Sequence, residues 1–190
     1  MSNFFSMIFR MKYINRWGLM RNSFNENLSG HSFEVALIAH ALAVISNKRL
    51  NIAVDADKIA VIALYHDAPE IITGDLPTPI KYHDEKIKHA YKIVEKDAAK
   101  RLLELLPDDI KQEYEKLLTP DITDYEQDII KAADKIAALI KCIEEEVIGN
   151  REFINAKKAQ LKFLNEMNCE SANIFLEEFL PGFEKTLDEQ

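Results

Sequence analysis

One run of the sequence narrows the possible folds more than any other. Ile129, Ala133, Ile136, Ile140, Ile143 and Val147 step by 4, 3, 4, 3 and 4 residues. That rhythm puts them on a single stripe of one long α-helix, which is stable in water only when the stripe is buried against other helices. The same period recurs along most of the chain. Phe4, Phe5, Ile8, Phe9 and Lys12 predict an N-terminal helix that stops near Asn15. Ser29 is positioned to cap a second helix running to about Ser46, and Asp55 a third, on which Ile59, Ile62, Ala63 and His66 share a face. A long helix is expected with Ile87, Ala90, Tyr91, Val94, Ala98, Leu102 and Leu105 on one side, ended by Pro107.

The breaks are equally legible. Gly74-Asp75-Leu76-Pro77-Thr78-Pro79 reads as a loop, because its prolines exclude both helix and central strand. Asp108 to Leu118 reads as a short helix, Thr119-Pro120 as a break, and Thr123 or Asp124 as the cap of the helix that carries the long stripe. Gly149 suits the position after that helix, and Asn150 opens another. The tail from Ser171 to Leu187 is amphipathic and broken at Pro181. No segment alternates with period two for long, and no repeat or linker is visible. The expectation is an all-α fold of one domain spanning 1–190, with the Glu144-Glu145-Glu146 run on a solvated face.

Charge narrows the partners. The chain carries 24 Lys and Arg against 32 Asp and Glu, a net −8. A nucleic-acid polymer or an anionic membrane selects a basic face, so neither is expected as a partner. Two cysteines, Cys142 and Cys169, are too few for a disulfide framework. No signal peptide is apparent at the start, and the longest uncharged stretch, Val35 to Asn47, is short for a membrane span. The cytoplasm is the expected compartment.

The chemistry concentrates on His31, the dipeptide His66-Asp67 and Asp134. They lie on three separate predicted helices, each within or beside an apolar stripe, where an unpaired charge is costly. Two imidazoles and two carboxylates converging there form a mixed nitrogen and oxygen site for a divalent metal. Each has a plainer reading: a hydrogen-bonded core histidine, or an aspartate paired with Lys131 or Lys135. Glu70 lies four residues beyond His66, but Pro69 interrupts the helix between them, so a kink or a new turn is expected there. The plainer reading of Glu70 is a surface carboxylate after a helix end. Trp17 is the sole tryptophan, a core filler on periodicity alone. His83 and His89 are expected to be solvated, and His40 to pack or to face water.

The order His31, His66-Asp67, Asp134 resembles the H…HD…D signature of HD-domain metal-dependent phosphohydrolases. Asn15-Arg16-Trp17, Tyr65-His66-Asp67-Ala68-Pro69-Glu70 and Thr73-Gly74-Asp75-Leu76-Pro77-Thr78-Pro79 are narrower, and resemble the bacterial 5′-deoxynucleotidase branch over nearly the whole chain. The chain departs from that pattern at Gly30, where relatives often carry an acid, and at Pro69, a position often small and polar.

The resemblance implies a single HD-domain helical bundle with one divalent metal held by His31, His66, Asp67 and Asp134; two imidazoles with carboxylates suit Co²⁺, Mn²⁺, Fe²⁺ or Zn²⁺. It implies Glu70 and Arg16 as catalytic residues. The substrate site it implies is formed by Arg16 on the phosphate, Trp17 against the sugar, Asp67, Asp134, and the loop residues Asp75, Leu76, Pro77 and Thr78. The implied reaction is hydrolysis of deoxyribonucleoside 5′-monophosphates to deoxynucleoside and phosphate, by a homodimer. Hydrolysis of a cyclic nucleotide or a triphosphate is the alternative within enzymes, and a non-catalytic nucleotide-binding module the alternative outside them.

Overall fold

A computed structural model of the chain describes residues 1–77 and 84–190. Among the described residues every regular element is helical, and an isolated antiparallel bridge joins Asn15 to Asn27. Helix α1 (Phe4–Ile8) runs into a 3₁₀ turn, Phe9–Tyr13. Then come α2 (Leu28–Arg49), α3 (Ala56–Tyr65), α4 (Glu70–Thr73), α5 (Glu85–Leu103), α6 (Asp108–Leu118), α7 (Asp124–Val147), α8 (Ile154–Glu166) and α9 (Glu170–Glu178). Short 3₁₀ turns occupy Arg151–Phe153, Leu180–Glu184 and Leu187–Glu189.

The caps explain most of the boundaries. Asp55 Oδ1 accepts from the Lys58 backbone, as expected, and Asp84 does the same for Ile87 at the start of α5. Thr123 caps α7 in a full capping box with Glu126. Gly149, at φ 91°, ends that helix in the left-handed conformation that glycine tolerates best. At α2 the expectation is corrected: Asn27, not Ser29, accepts from the Gly30 backbone at 3.0 Å, and the helix runs three residues past Ser46 to Arg49. Asparagine and serine cap equally well, so the choice falls to the bridge that holds Asn27 against Asn15.

The chain forms two compact units. The first comprises Met1–Leu19, Asn25–Ser32 and Leu64–Asp121; the second comprises Met20–Phe24, Phe33–Ala63 and Ile122–Gln190. In the first, α5 packs on α1, α4 and α6 over a core of Phe4, Met11, Leu28, Ala68, Ala99, Leu102, Leu103, Leu106 and Leu118. Tyr114 meets Phe4 edge-on at 5.0 Å and Tyr65 at 6.1 Å.

In the second unit the stripe of α7 is buried from Ile129 to Ile143, with Val35, Leu42, Ile59, Leu164 and Phe175 packed in the same core. Its last member, Val147, is exposed at the helix end. The acidic run divides: Glu144 and Glu146 are exposed, but Glu145 is fully buried, contrary to the solvated face expected of all three. The buried Lys141, one turn earlier, is its partner.

Helix α2 is also longer than the uncharged stretch suggested. By length and composition it could cross a membrane, yet over half of that window is buried inside the protein's own core.

Candidate metal and phosphate site

The first unit gathers Arg16, His31, His66, Asp67 and Glu70 on three short pieces of chain. A strand-like limb, Ile14 to Trp17, is clamped to a returning limb, Glu26 to Leu28. Leu28 N donates to Ile14 O at 2.9 Å and Arg16 N to Glu26 O at 3.0 Å. His31 stands in the first turn of α2, fully buried. The third piece follows α3, which ends at Tyr65, so His66 lies in a turn and not on the helical face expected of it. There Ala68 N donates to Tyr65 O and Glu70 N to Asp67 O. Pro69 then starts α4 with Glu70 at its head, as the anticipated new turn requires. Glu70 is buried, which removes its reading as a surface carboxylate.

Asp67 is where these pieces meet. Its Oδ2 is 3.2 Å from His66 Nε2, 3.7 Å from His31 Nε2 and 3.4 Å from Arg16 Nη1. The two imidazole rings lie 5.7 Å apart, centroid to centroid. Two ring nitrogens facing one carboxylate oxygen, with limited solvent access, are the donor chemistry that a first-row divalent cation takes. The arrangement therefore fits a metal, and it places a guanidinium against the same carboxylate.

Glu26 is a buried carboxylate at this site that sequence reasoning did not single out. Three nitrogens from other residues surround its two oxygens. Arg16 Nε reaches Oε1 at 3.1 Å, His31 Nδ1 is 3.0 Å from the same oxygen, and the Trp17 indole N–H donates to Oε2. Burial is the largest single influence on its carboxyl and pushes the pKa up. The histidine, arginine and indole together outweigh it, so the group sits below its ordinary value. The signal in the sequence was slight: an acid just ahead of a helix start, off every apolar stripe.

Trp17 has a backbone φ of 58°. For a bulky residue the left-handed region is an outlier, costing on the order of 1–2 kcal/mol. Strain of this kind persists where surrounding contacts over-determine the conformation, and here the indole is bonded to a buried carboxylate. The half-buried indole is not the core filler that periodicity favoured.

The loop after α4 begins at Gly74, whose φ of 74° is a glycine conformation. Its carbonyl accepts from the Tyr91 hydroxyl of α5 at 3.1 Å, and Thr73 Oγ1 lies 3.1 Å from the same hydroxyl. Asp75, Leu76 and Pro77 follow, all partly buried. Thr78 and His83 lie outside the described residues. His89 is exposed, and His40 is partly exposed with Nε2 3.6 Å from Asp57.

Asp134 belongs to the second unit. On α7 it is partly buried, and its Oδ2 is 3.0 Å from Lys135 Nζ, one of the two lysines anticipated as partners.

Comparison with known proteins gives a consistent picture. Residues 3–183 match the family described as 5′-deoxynucleotidase YfbR-like. A 5′-deoxynucleotidase of Yersinia pestis (strain Pestoides F) is 47% identical over 190 residues, covering 100% of this chain and 96% of the relative. A 5′-deoxynucleotidase of Yersinia pseudotuberculosis (serotype O:3) matches to the same extent. Among solved structures, an HD-domain phosphohydrolase of Listeria innocua superposes with a TM-score of 0.82 at 24% identity, over 95% of this chain and 88% of that one. A cyanophage S-2L HD phosphohydrolase, solved with dA and one catalytic Zn²⁺ ion, superposes with a TM-score of 0.67 at 17% identity, over 95% and 96%. At these identities the two structures speak for the fold.

Proposed function

The chain belongs to the YfbR-like 5′-deoxynucleotidase family, an enzyme family of HD-domain phosphohydrolases, and we propose how its own residues divide the work of hydrolysing deoxyribonucleoside 5′-monophosphates. The observation that carries the reading is Asp67 Oδ2, which faces both imidazoles and the Arg16 guanidinium at once. A metal-holding group and a phosphate-holding group thus share one carboxylate.

His31, His66 and Asp67 would hold a divalent metal, and Asp134 is the remaining ligand that the H…HD…D order in the sequence implies. Such an ion neutralises phosphate charge and lowers the pKa of a coordinated water. Arg16 offers the phosphate a planar cationic fork whose plane is set by its bonds to Glu26 and Asp67. Glu70 takes a proton from the attacking water as its oxygen bonds to phosphorus. The ester bond to the 5′-oxygen breaks, and that oxygen leaves as the deoxynucleoside hydroxyl by taking the proton that Glu70 removed from the water.

Trp17 lies against the sugar and leaves a 2′-hydroxyl neither room nor partner. Asp75, Leu76, Pro77 and Thr78 line the nucleotide. The metal is drawn from Co²⁺, Mn²⁺, Fe²⁺ and Zn²⁺, all of which accept a nitrogen and oxygen donor set.

Each compact unit is assembled from three separated stretches of chain, and this discontinuity supports reading 1–190 as one domain. A homodimer is supported by α2, which presents Phe33, Leu37 and Val44 outward on one face. Both cysteines are buried free thiols, which suits the cytoplasm.

The deciding experiment compares phosphate release from dAMP and from AMP, after chelation and after metal is returned. Release from dAMP should stop on chelation, return with metal and exceed release from AMP. Equal rates on both nucleotides, or indifference to chelator, would overturn the reading.

A further inference from the structure

Glu26 takes no part in the division of labour above, yet its carboxylate touches three of the residues that do. Oε1 is shared by Arg16 Nε at 3.1 Å and His31 Nδ1 at 3.0 Å, and Oε2 accepts from the Trp17 indole. We infer that Glu26 is a positioning residue for this reaction: one buried carboxylate sets the His31 imidazole, the Arg16 guanidinium and the Trp17 indole in a common register. Metal, phosphate and deoxyribose then depend on a single anchor. The inference rests on the roles proposed for those three residues.

For His31 the consequence is the tautomer. With Nδ1 only 3.0 Å from Glu26 Oε1, the tautomer that keeps the proton on Nδ1 is favoured, and Nε2, which faces Asp67, keeps its lone pair. A carboxylate behind a ligating imidazole fixes the ring and raises its basicity, which strengthens metal binding. For Arg16 the consequence is orientation. Nε is taken by Glu26 and Nη1 by Asp67, so two carboxylates hold the plane of the fork. For Trp17 the consequence is a held rotamer on a strained backbone.

Glu26 itself has little freedom to leave. Its backbone carbonyl accepts from Arg16 N, and the neighbouring Asn27 is bridged to Asn15. The carboxylate therefore rides on the same clamped pair of limbs as two of its donors. A charge buried this deeply is retained when it is well paired, and here both oxygens are engaged.

The test uses the full chain with Glu26→Gln and Glu26→Asp, and three readouts. The first is a Co²⁺ titration of metal-stripped protein without nucleotide. Glu26→Gln should weaken binding about 10- to 100-fold, the range typical of losing a carboxylate behind a ligating histidine. The second is fluorescence excited at the red edge, where tyrosine does not absorb, which reports Trp17 alone because the chain has one tryptophan. Its emission maximum should move in the metal-free variant, with easier quenching by acrylamide. The third is turnover at saturating metal: KM for dAMP should rise and the dAMP-to-AMP preference should fall. Loss of metal alone would produce neither change.

Glu26→Asp keeps the charge but is one methylene short. It should shift the same three readouts by smaller amounts, and it decides the matter if Glu26→Gln does not fold. Wild-type Co²⁺ affinity, Trp17 emission and dAMP preference in a folded variant would overturn the inference while leaving the proposed function standing. Failure of the wild-type protein to bind Co²⁺ would instead overturn the proposed function.

Discussion

The ammonium of Lys141 lies 3.3 Å from the ring centroid of Phe24. It also donates to the Phe24 carbonyl at 2.7 Å and to the carboxylate of Glu145, one turn further along α7. Glu145 in turn accepts from Ser23 N and Asn150 Nδ2. A buried ion pair thus ties the 20–24 segment to the end of α7 within the second unit. Removing one partner of such a pair strands a buried charge, typically at about 3–5 kcal/mol. Lys141→Ala should therefore lose about 3 kcal/mol or more in urea unfolding. A loss below about 1 kcal/mol would show that the remaining donors to Glu145 suffice.

The same carboxyl sets a pH dependence. Burial is the largest single influence on Glu145 and pushes its pKa up, but the bonds from Lys141, Asn150 and Ser23 prevail and hold it at about 2, against an ordinary 4.5. A folded pKa below the unfolded one stabilises above the unfolded value and fades as pH falls toward the folded one. The stability gap between wild type and Glu145→Gln should be flat from pH 7 to about 5. Below that it should shrink by at most about 1.4 kcal/mol per pH unit. A gap that stays constant down to pH 3 contradicts the assignment.

Tyr91 tethers the start of the loop proposed to line the nucleotide, through Gly74 and Thr73. Losing a neutral hydrogen bond costs about 1 kcal/mol, or roughly fivefold. Tyr91→Phe should raise KM for dAMP by about that factor and leave Co²⁺ binding unchanged. An unaltered KM detaches this tether from substrate binding.

Glu70 is buried at the head of α4, where Pro69 turns the chain. General bases contribute about 10²–10⁴-fold to rate. Glu70→Ala should lose that much in kcat and still bind Co²⁺ and dAMP. Near-normal turnover removes Glu70 from the mechanism.

On α2, Phe33 and Leu37 are each 57% exposed and lie one turn apart. Light scattering should give a dimer for the wild-type chain and a monomer for Leu37→Glu. A wild-type monomer at micromolar concentration ends the dimer proposal.

The sequence by itself determined what depends on local pattern. The 3- and 4-residue steps of Ile129 to Ile143 made α7 a buried helix, Asp55 and Thr123 made caps, and Pro107 and Pro120 made breaks, because each works within one or two turns of chain. The order of His31, His66-Asp67 and Asp134, with the blocks around Arg16 and Asp75, carried the family. Tertiary structure decided what depends on a distant partner. Glu145 looked like one of three solvated acids until Lys141 and the 20–24 segment enclosed it. Trp17 looked like a core filler until Glu26 bonded its indole. Asn27 replaced Ser29 as a cap because Asn15 pairs with it. Glu26 sits on no stripe and follows no spacing rule. Its surroundings come from three nitrogens brought to one carboxylate by chain folding back on itself, and helical periodicity does not encode an encounter of that kind.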